Sequence, residues 1–281
     1  MIKSTAPKAC IVGWPVKHSR SPMIHAHWLS QLAIPGTYDF AEVKPEHFTN
    51  FVKAMADNGF TGGNVTVPHK EAVFALADHV EASAITIGAV NTLWIENGQI
   101  FASNTDASGF LDNLDDRAPG WDQDVRSAVV LGAGGASRAV AFGLRKRGIG
   151  RIHLVNRTLG RAEQVAARIS DTRAAPVSDL PKLLASADLV VNTTSLGMLG
   201  QFPLLLDLSV VPAHATVCDI VYVPLETDLL RLARQRGLRT VDGLGMLLHQ
   251  ATLGFEKWFG VRPIVTDSLR ALVTADILSK S

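Results

Sequence analysis

Residues 128–140 read Ala-Val-Val-Leu-Gly-Ala-Gly-Gly-Ala-Ser-Arg-Ala-Val, and this stretch decides the fold of the second half of the chain. The first four residues form an apolar run typical of a buried strand, and three glycines follow within the next four residues. Val140 and Leu144 then recur at helical spacing. The pattern predicts a strand, a tight glycine turn and a helix whose N-terminus favours a bound phosphate.

The glycine turn matches part of a dinucleotide-binding fingerprint. Its pattern is Gly-x-Gly-x-x-Ser, with Ser137 at the place where glycine or alanine is usual. We predict that the backbone of Gly132, Gly134, Gly135 and Ala136 binds a pyrophosphate. The alternative is a strand-to-helix turn that binds no ligand.

The end of the next predicted strand indicates the kind of dinucleotide. An NAD site has Asp or Glu there to accept a hydrogen bond from the ribose 2′-hydroxyl. This chain has no carboxylate at that point and instead has Asn156, Arg157, Thr158 and, one helical turn later, Arg161. Two guanidinium groups suit a phosphate, so these residues predict the 2′-phosphate of NADP. The alternative is a helix cap at Thr158 beside two surface arginines.

Strands and helices alternate through the rest of this half. The predicted strands are residues 128–131, 152–155, 189–192, 217–221 and 238–241. Such alternation favours a parallel, doubly wound sheet in which ligands bind at the carboxyl ends of the strands. Tyr222 follows one of these ends, where the nicotinamide would lie.

The composition bounds the class of protein. The chain has 281 residues, enough for about two domains. With 47% hydrophobic and 19% charged residues it can bury a globular core. A net charge of +1 gives no basic field for nucleic acid or an acidic membrane surface.

Other features concern location and metal binding. Cys10 and Cys218 suit a reducing compartment and offer neither a disulfide framework nor a cysteine metal site. We expect no metal site, because no metal-ligand spacing stands out. The first residues lack the apolar core of a signal peptide, and no apolar run is long enough for a membrane span. We expect a cytoplasmic protein, either a monomer or a homodimer.

Two hydroxyl groups precede the first predicted helix. Residues 9–12 predict a strand, and Ser19, Ser21 and Pro22 follow it. A serine followed by a proline is typical of a helix start, with Ser21 as the cap. The apolar face of this helix comprises Ile24, Trp28 and Leu32. The two serines either only cap the helix or hold a small carboxylate at its positive end.

Lys70 follows a predicted strand at residues 64–67 and Pro68. It is predicted to open a helix whose inner face comprises Val73, Leu76, Ala77 and Val80. A cation in the first turn is disfavoured by the helix dipole, which favours a lysine that exchanges a proton. The alternative is a solvated surface lysine.

A hairpin and another helix complete the first hundred residues. Residues 90–95 and 100–102 predict its strands around the Asn97-Gly98 turn. Asp106 then lies at the start of a helix, where an aspartate most often serves only as a cap.

Taken together, several stretches resemble the shikimate dehydrogenase family over nearly the whole chain. The matching stretches are His18-Ser19-Arg20-Ser21-Pro22, Asn64-Val65-Thr66-Val67-Pro68-His69-Lys70-Glu71, Gly88-Ala89-Val90-Asn91-Thr92, Asn104-Thr105-Asp106, Gly132-Ala133-Gly134-Gly135-Ala136, Asn156-Arg157-Thr158, and Gly243-Leu244-Gly245-Met246 with Gln250. The resemblance implies an NADP-linked, reversible reduction of 3-dehydroshikimate to shikimate, a step toward chorismate and the aromatic amino acids.

The resemblance also implies residue roles. Lys70 and Asp106 would form the catalytic pair. The substrate would be bound at its carboxylate by Ser19 and Ser21, with Tyr222 nearby, and at its ring hydroxyls by Thr66, Asn91, Asp106 and Gln250. Ile220 and Gly243 would border the nicotinamide.

The expected fold is α/β with two domains. Residues 1–105 with 242–281 would form an α/β substrate domain, onto which the C-terminal helices pack back. Residues 106–241 would form a Rossmann-type NADP domain. His69, Ser103 and Ala107 depart from the family pattern and leave open a paralogue that acts on quinate or aminoshikimate. A non-catalytic NADP-binding regulatory module is the other alternative.

Overall fold

A computed structural model describes residues 6–280, and the chain divides into two compact units. Unit 1 comprises Met1–Thr105 and Gln250–Val273, and unit 2 comprises Asp106–His249 and Thr274–Ser281. The first division lies between Thr105 and Asp106, the second lies between His249 and Gln250, and Thr274–Ser281 belongs to unit 2. The boundaries of the functional domains stay a prediction.

Unit 1 contains a mixed sheet. Its strands are β1 (Lys8–Gly13), β2 (Thr37–Glu42), β3 (Phe60–Val65), β4 (His79–Val80), β5 (Thr92–Glu96) and β6 (Gln99–Ser103). They lie in the order β2-β1-β3-β5-β6-β4. β1 pairs in parallel with β2 and β3, whereas β5 pairs antiparallel with β3 and β6.

The helices of this part of the chain are α1 (Ser21–Gln31), α2 (Pro45–Lys53) and α3 (Ala82–Ile87). The apolar side of α2 and the turn that follows it pack into the core, where Phe48, Val52 and Met55 are buried. The helix ends at Lys53, and turns continue from there to Gly59.

Helix α1 buries a group of aromatic rings in unit 1. The His25 ring stacks on Tyr38 at a centroid distance of 3.9 Å and lies parallel to Phe255 at 5.8 Å. Trp28 and Trp258 pack against the same group. Burial lowers the pKa of His25 to about 3, so the ring is neutral at physiological pH.

Unit 2 has the parallel, doubly wound sheet that the sequence predicted. Its strands are β7 (Ser127–Leu131), β8 (Arg151–Val155), β9 (Thr172–Ala175), β10 (Leu189–Asn192), β11 (Thr216–Asp219) and β12 (Arg239–Val241). They lie in the order β12-β11-β10-β7-β8-β9, which is the Rossmann arrangement. Every pair in this sheet is parallel.

The helices of the remaining chain lie before, between and after these strands. They are α4 (Asp106–Arg117), α5 (Gly135–Lys146), α6 (Leu159–Ala166), α7 (Leu180–Leu184), α8 (Asp228–Gln235), α9 (Leu244–Phe259) and α10 (Asp267–Ser279). Helices α9 and α10 each cross a division between the units. Within the described residues, no helix combines the length and apolar character that a membrane span requires.

The structure corrects two local predictions in unit 1. Lys70 does not open a helix: it lies in a turn, and only a short 3-10 helix, Ala72–Ala75, follows. Val80, predicted to lie on the inner face of that helix, belongs to β4 and pairs with Ala102 of β6. Ser21 is the first residue of α1 and not its cap, and its backbone N–H bonds the Ser19 hydroxyl at 3.2 Å.

We predict that His25 makes unit 1 less stable in acid. Its pKa is about 3 in the fold against about 6.5 in an unfolded chain, so the unfolded state binds the proton first. The contribution of neutral His25 to the free energy of unfolding is fully present above about pH 6.5 and is lost as the pH falls toward 3. The linked loss between about pH 7.5 and pH 5 is roughly 2 kcal/mol.

The measurement is urea denaturation of the whole chain and of His25→Phe at both pH values. Phenylalanine keeps a ring but cannot take up a proton, so its loss of stability over this range should be about 2 kcal/mol smaller. His47→Gln, on the exposed side of α2, is the control and should behave as the parent. An equal pH dependence for His25→Phe and the parent would contradict the prediction.

Candidate functional site

The sheet of unit 1 gathers the predicted substrate residues at one edge. Parallel β1 and β3 both end there, and antiparallel β5 begins there. β6, antiparallel to β5, ends there as well. Thr66 and Asn91 adjoin the ends of β3 and β5, whereas Ser19, Ser21 and Lys70 lie in the segments that follow β1 and β3.

Ser19 and Ser21 bond each other at this edge. The Ser19 hydroxyl lies 3.2 Å from the Ser21 hydroxyl and accepts from the Ser21 backbone N–H. Ser21 is 3% exposed, whereas Ser19 is half-buried. The cap residue of α1, Arg20, makes no side-chain cap bond, and the Ser19 hydroxyl bonds the first N–H of the helix.

Thr66 and Lys70 follow β3 in a loop that the backbone holds. Thr66 N–H donates to the Val12 carbonyl at 2.9 Å, and the Lys70 carbonyl accepts from Val90 N–H at 3.1 Å. Lys70 itself is half-buried. These bonds tie the loop to β1 and to the segment that precedes Asn91.

The departures from the family pattern lie within the packed interior. His69 is buried, and its ring stacks on Phe48 at 4.1 Å while Nε2 lies 2.8 Å from the Val43 carbonyl oxygen. It therefore fills the place of an aromatic ring. The Ser103 hydroxyl donates to Glu81 at 2.5 Å, and Ala107 is buried in unit 2. These contacts within the protein account for His69 and Ser103, and burial accounts for Ala107.

Asn91 and Gln250 meet in a buried polar cluster in unit 1. Asn91 Oδ1 accepts from Thr105 N–H at 2.9 Å, and Asn91 Nδ2 donates to Thr105 Oγ1 at 3.0 Å. Gln250 Oε1 lies 3.5 Å from Asn91 Nδ2 and 3.3 Å from Thr105 Oγ1. The structure thus brings together two residues that are far apart in the sequence.

Asp106 comes next after Thr105 and is the first residue of α4. It is half-buried and belongs to unit 2, whereas Lys70 belongs to unit 1. The pairing of Lys70 with Asp106 therefore stays a prediction.

The glycine turn of unit 2 has the geometry of a phosphate-binding turn. Gly132 adopts a φ of +115°, and a side chain there would collide with Thr193. Gly134 caps α5, and a Cβ at this position would meet open space. Ser137 is buried and donates to the Gly134 carbonyl at 2.8 Å, so it shapes the turn from inside. The N–H groups of Gly135 and Ala136, at the start of α5, fit a pyrophosphate.

The turn after β8 presents the predicted arginines to solvent. Asn156 Nδ2 donates to the Thr158 carbonyl at 2.8 Å and shapes this turn. Thr158 occupies the cap position of α6, although its side chain makes no cap bond. Arg157 and Arg161 are both exposed. A 2′-phosphate is the group that two guanidinium groups at this place fit.

A buried carboxyl organises the loops after β10 and β11. Asp219 accepts from Asn192 Nδ2 at 2.9 Å, from Val221 N–H at 3.0 Å and from Thr227 Oγ1 at 2.7 Å. Burial raises the pKa of Asp219, and these three donors oppose the rise. The predicted strand to residue 221 ends at Asp219 because the chain turns back to this carboxyl.

Ile220, Tyr222 and Gly243 lie at the same carboxyl edge of the unit 2 sheet. Ile220 N–H donates to the Asn192 carbonyl at 3.1 Å, and Tyr222 is half-buried. A Cβ at Gly243 would lie 2.2 Å from the Ile220 carbonyl oxygen, so only glycine fits beside it. The two predicted nicotinamide neighbours are therefore in contact with each other.

Sequence reasoning missed several residues around these sites. Tyr38, Asn64 and Thr92 join the Asn91 cluster through hydrogen bonds described below. Arg138 lies in the first turn of α5. Its Nη2 is 4.0 Å from the position that a Cβ atom on residue 135 would occupy. Its position, three residues after the last glycine of the turn, is the sequence signal that would have marked Arg138 as a further candidate for phosphate binding.

Three family models match the chain. Residues 11–93 match the shikimate dehydrogenase substrate binding domain. Residues 117–198 match shikimate / quinate 5-dehydrogenase, and residues 243–265 match the shikimate 5′-dehydrogenase C-terminal domain.

Full-length relatives and solved structures agree. The chain is 55% identical over 281 residues to shikimate dehydrogenase (NADP(+)) of Mesorhizobium japonicum, with 100% of both chains covered. A Thermus thermophilus shikimate 5-dehydrogenase in complex with NADP(H) and shikimate has a TM-score of 0.85 and 36% identity, covering 96% of this chain and 99% of that one.

Quinate dehydrogenase from Corynebacterium glutamicum in complex with NAD has a TM-score of 0.89 and 29% identity, covering 96% of this chain and 99% of that one. The fold alone therefore does not distinguish the two substrates, whereas the curated relatives at higher identity carry one name. The chain belongs to the shikimate dehydrogenase family.

Proposed function

We propose that this chain catalyses the NADP-linked, reversible reduction of 3-dehydroshikimate to shikimate. The observation that supports the proposal is the set of hydroxyl and amide groups at one edge of the unit 1 sheet, beside the loop whose backbone carries Lys70. A small anionic ring with several hydroxyls requires this mixture of donors. Full-length identity to NADP-dependent shikimate dehydrogenases supports the same choice.

Unit 1 is proposed to bind the substrate. The paired hydroxyls of Ser19 and Ser21 would donate to its carboxylate, with Tyr222 of unit 2 as a further donor. Thr66, Asn91 and Gln250 would bind the ring hydroxyls, with Asp106 accepting from the hydroxyl next to the reacting carbon. The residues would thus orient the ring before reaction.

Lys70 and Asp106 are proposed to move the proton. Reducing the ketone adds a hydride to carbon and a proton to oxygen, and bound NADPH supplies the hydride. The Lys70 ammonium would give its proton to the carbonyl oxygen, and Asp106 would orient the lysine and the new hydroxyl. In the reverse direction the same lysine takes the proton back.

Unit 2 is proposed to hold NADP. The glycine turn at Gly132–Gly135 and the start of α5 fit the pyrophosphate, as does Arg138. Arg157 and Arg161 fit the 2′-phosphate, with Asn156 and Thr158 shaping their turn. Ile220 and Gly243 would border the nicotinamide.

The proposal extends to the cellular setting. Cys10 and Cys218 are both unpaired and buried, which suits a reducing compartment, and we place the protein in the cytoplasm. A monomer or a homodimer is consistent with the proposed chemistry, because all the residues named above come from one chain.

The experiment that tests the reaction is steady-state oxidation of shikimate and of quinate with NADP⁺ and with NAD⁺. Shikimate with NADP⁺ should give the highest kcat/KM. A clear preference for quinate, or for aminoshikimate in the same assay, would contradict the substrate. The absence of turnover of all three acids would favour the regulatory module.

Replacing Lys70 should slow the reaction. Lys70→Ala is expected to lower kcat by about 10²–10⁴ with little change in KM, because a proton donor acts mainly in the transition state. Lys53→Ala, at the exposed end of α2, is the control and should keep full activity. An unchanged kcat for Lys70→Ala would contradict the proposed role and favour the alternative, a solvated surface lysine.

Replacing Arg157 should change the choice of cofactor. Arg157→Ala is expected to raise KM for NADP⁺ by about 10-fold or more, since a charge-assisted bond to a phosphate contributes roughly 1.5–3 kcal/mol. KM for NAD⁺, which lacks the 2′-phosphate, should stay nearly constant. Arg168→Ala, exposed beyond the end of α6, is the control. Equal changes for both cofactors would refute the 2′-phosphate assignment.

A further inference from the structure

A buried chain of polar groups runs through unit 1 and has no part in the proposed chemistry. Tyr38, Asn64 and Thr92 are 6%, 5% and 1% exposed. Burying such groups costs free energy unless their hydrogen bonds are complete. Apolar residues of similar size would fill this space without that requirement, so the chain of polar groups calls for a reason.

The hydrogen positions in this chain follow from its fixed acceptors. Asn64 Nδ2 lies 3.2 Å from the Asn91 backbone carbonyl and 3.3 Å from Thr92 Oγ1. A carbonyl oxygen only accepts, so the amide nitrogen must face it and Oδ1 must face Tyr38. The Tyr38 hydroxyl therefore donates to Asn64 Oδ1, at 2.6 Å.

One end of the chain is the Tyr38 hydroxyl. Its only proton is committed to Asn64 Oδ1, so towards other groups its oxygen can only accept. Burial raises the pKa of Tyr38 and keeps the hydroxyl protonated. Tyr38 therefore enters the chain as a donor to Asn64.

The other end reaches the amide cluster. Thr92 Oγ1 accepts a hydrogen bond from Asn64 Nδ2 and donates one to Asn91 Oδ1, at 2.8 Å. Thr105 N–H donates to the same oxygen at 2.9 Å. Because protein donors occupy Asn91 Oδ1, the amide nitrogen points towards Thr105 Oγ1 and Gln250. Asn91 can therefore meet a ligand oxygen only as a donor.

The helix that carries Ser21 also holds the tyrosine. His25, one turn after Ser21 on α1, stacks on the Tyr38 ring at 3.9 Å with 16° between the ring planes. A neutral ring at this place adds no charge beside the chain. Helix α1 and Tyr38 are thereby fixed relative to each other.

We propose that Tyr38 is a positioning residue for the substrate, which supports the donor direction of Asn91 through one continuous chain of buried hydrogen bonds. The chain runs from Tyr38 through Asn64 and Thr92 to Asn91. It ends at the group proposed to hold a ring hydroxyl. The inference rests on the proposed function for the identity of the acid, and on the described contacts for the linkage.

The test is Tyr38→Phe, which removes the hydroxyl and keeps the ring on His25. KM for shikimate should rise about 5- to 10-fold, the effect of one misdirected hydrogen bond. KM for NADP⁺ and kcat at saturating shikimate should change by less than about twofold. The lost interaction stabilises the bound substrate and the transition state equally, so its loss raises KM for shikimate and leaves kcat unchanged. Thr61→Val is the matched control on β3, where a hydroxyl bonded to the Lys8 carbonyl is removed outside the chain.

A second variant breaks the chain at another point. Thr92→Val interrupts it between Asn64 and Asn91 and leaves the Tyr38–Asn64 bond in place. It should show the same rise in KM for shikimate alone. Because both variants interrupt one chain, the double variant should raise KM by far less than the product of the two separate effects.

Several outcomes would overturn the inference. An unchanged KM for shikimate in Tyr38→Phe, or equal changes in KM for shikimate and NADP⁺, would leave Tyr38 as a packing residue. Multiplicative effects in the double variant would show that Tyr38 and Thr92 act separately. If Tyr38→Phe does not fold, Thr92→Val decides by the same criterion. The parent is measured first, so a preference for another polyol acid contradicts the proposed function alone, and that acid then replaces shikimate in this test.

Discussion

Parallel pairing beside one central strand determines where the candidate residues of each unit lie. In unit 1 the strand is β1, between β2 and β3, and in unit 2 it is β7, between β10 and β8. The side chains within these strands are committed to the core, as Val12 and Val129 are. The candidate substrate and cofactor residues therefore lie mainly in the segments beyond the strand ends, and parallel strands present those ends at one edge.

Buried acceptors saturated with donors hold the loops at these edges. In unit 1 the acceptor is Asn91 Oδ1, and in unit 2 it is the Asp219 carboxyl. Each is deeply buried, so leaving one of its donors out would expose an unpaired group in a medium of low dielectric constant. The same arrangement thus fixes the segments before β5 and after β6, and the loop after β11, without any help from a ligand.

Much of this architecture could be predicted from the sequence, and the misses have physical causes. The buried strands of unit 2 read as plain apolar runs, and the Asn97-Gly98 turn identified the hairpin. Edge strands β2 and β9 were missed because their residues are polar or exposed on one side, so no run of apolar residues signals them. Lys70 was assigned to a helix because apolar spacing at 73, 76 and 80 fits a helix, whereas sheet pairing takes Val80.

The site was predicted less completely than the fold. Motifs identified single residues such as Asn91, since each motif is contiguous. The partners that orient them come from distant parts of the chain: Tyr38 and Asn64 lie 26 residues apart, and Asn91 and Gln250 lie 159 apart. No local pattern signals such pairs, because they depend on how the sheet is ordered.

Gly132 and Gly134 of the cofactor turn illustrate how one motif can carry two separate requirements. At Gly132 a side chain is excluded twice, by the positive φ and by the Thr193 hydroxyl. At Gly134 the backbone is extended and the space is open, so no protein atom would clash with a methyl group there. Under the proposed function, selection at position 132 acts through the amount of folded protein in the cell. At position 134 it acts through cofactor affinity, so the turn would be kept intact by two independent pressures.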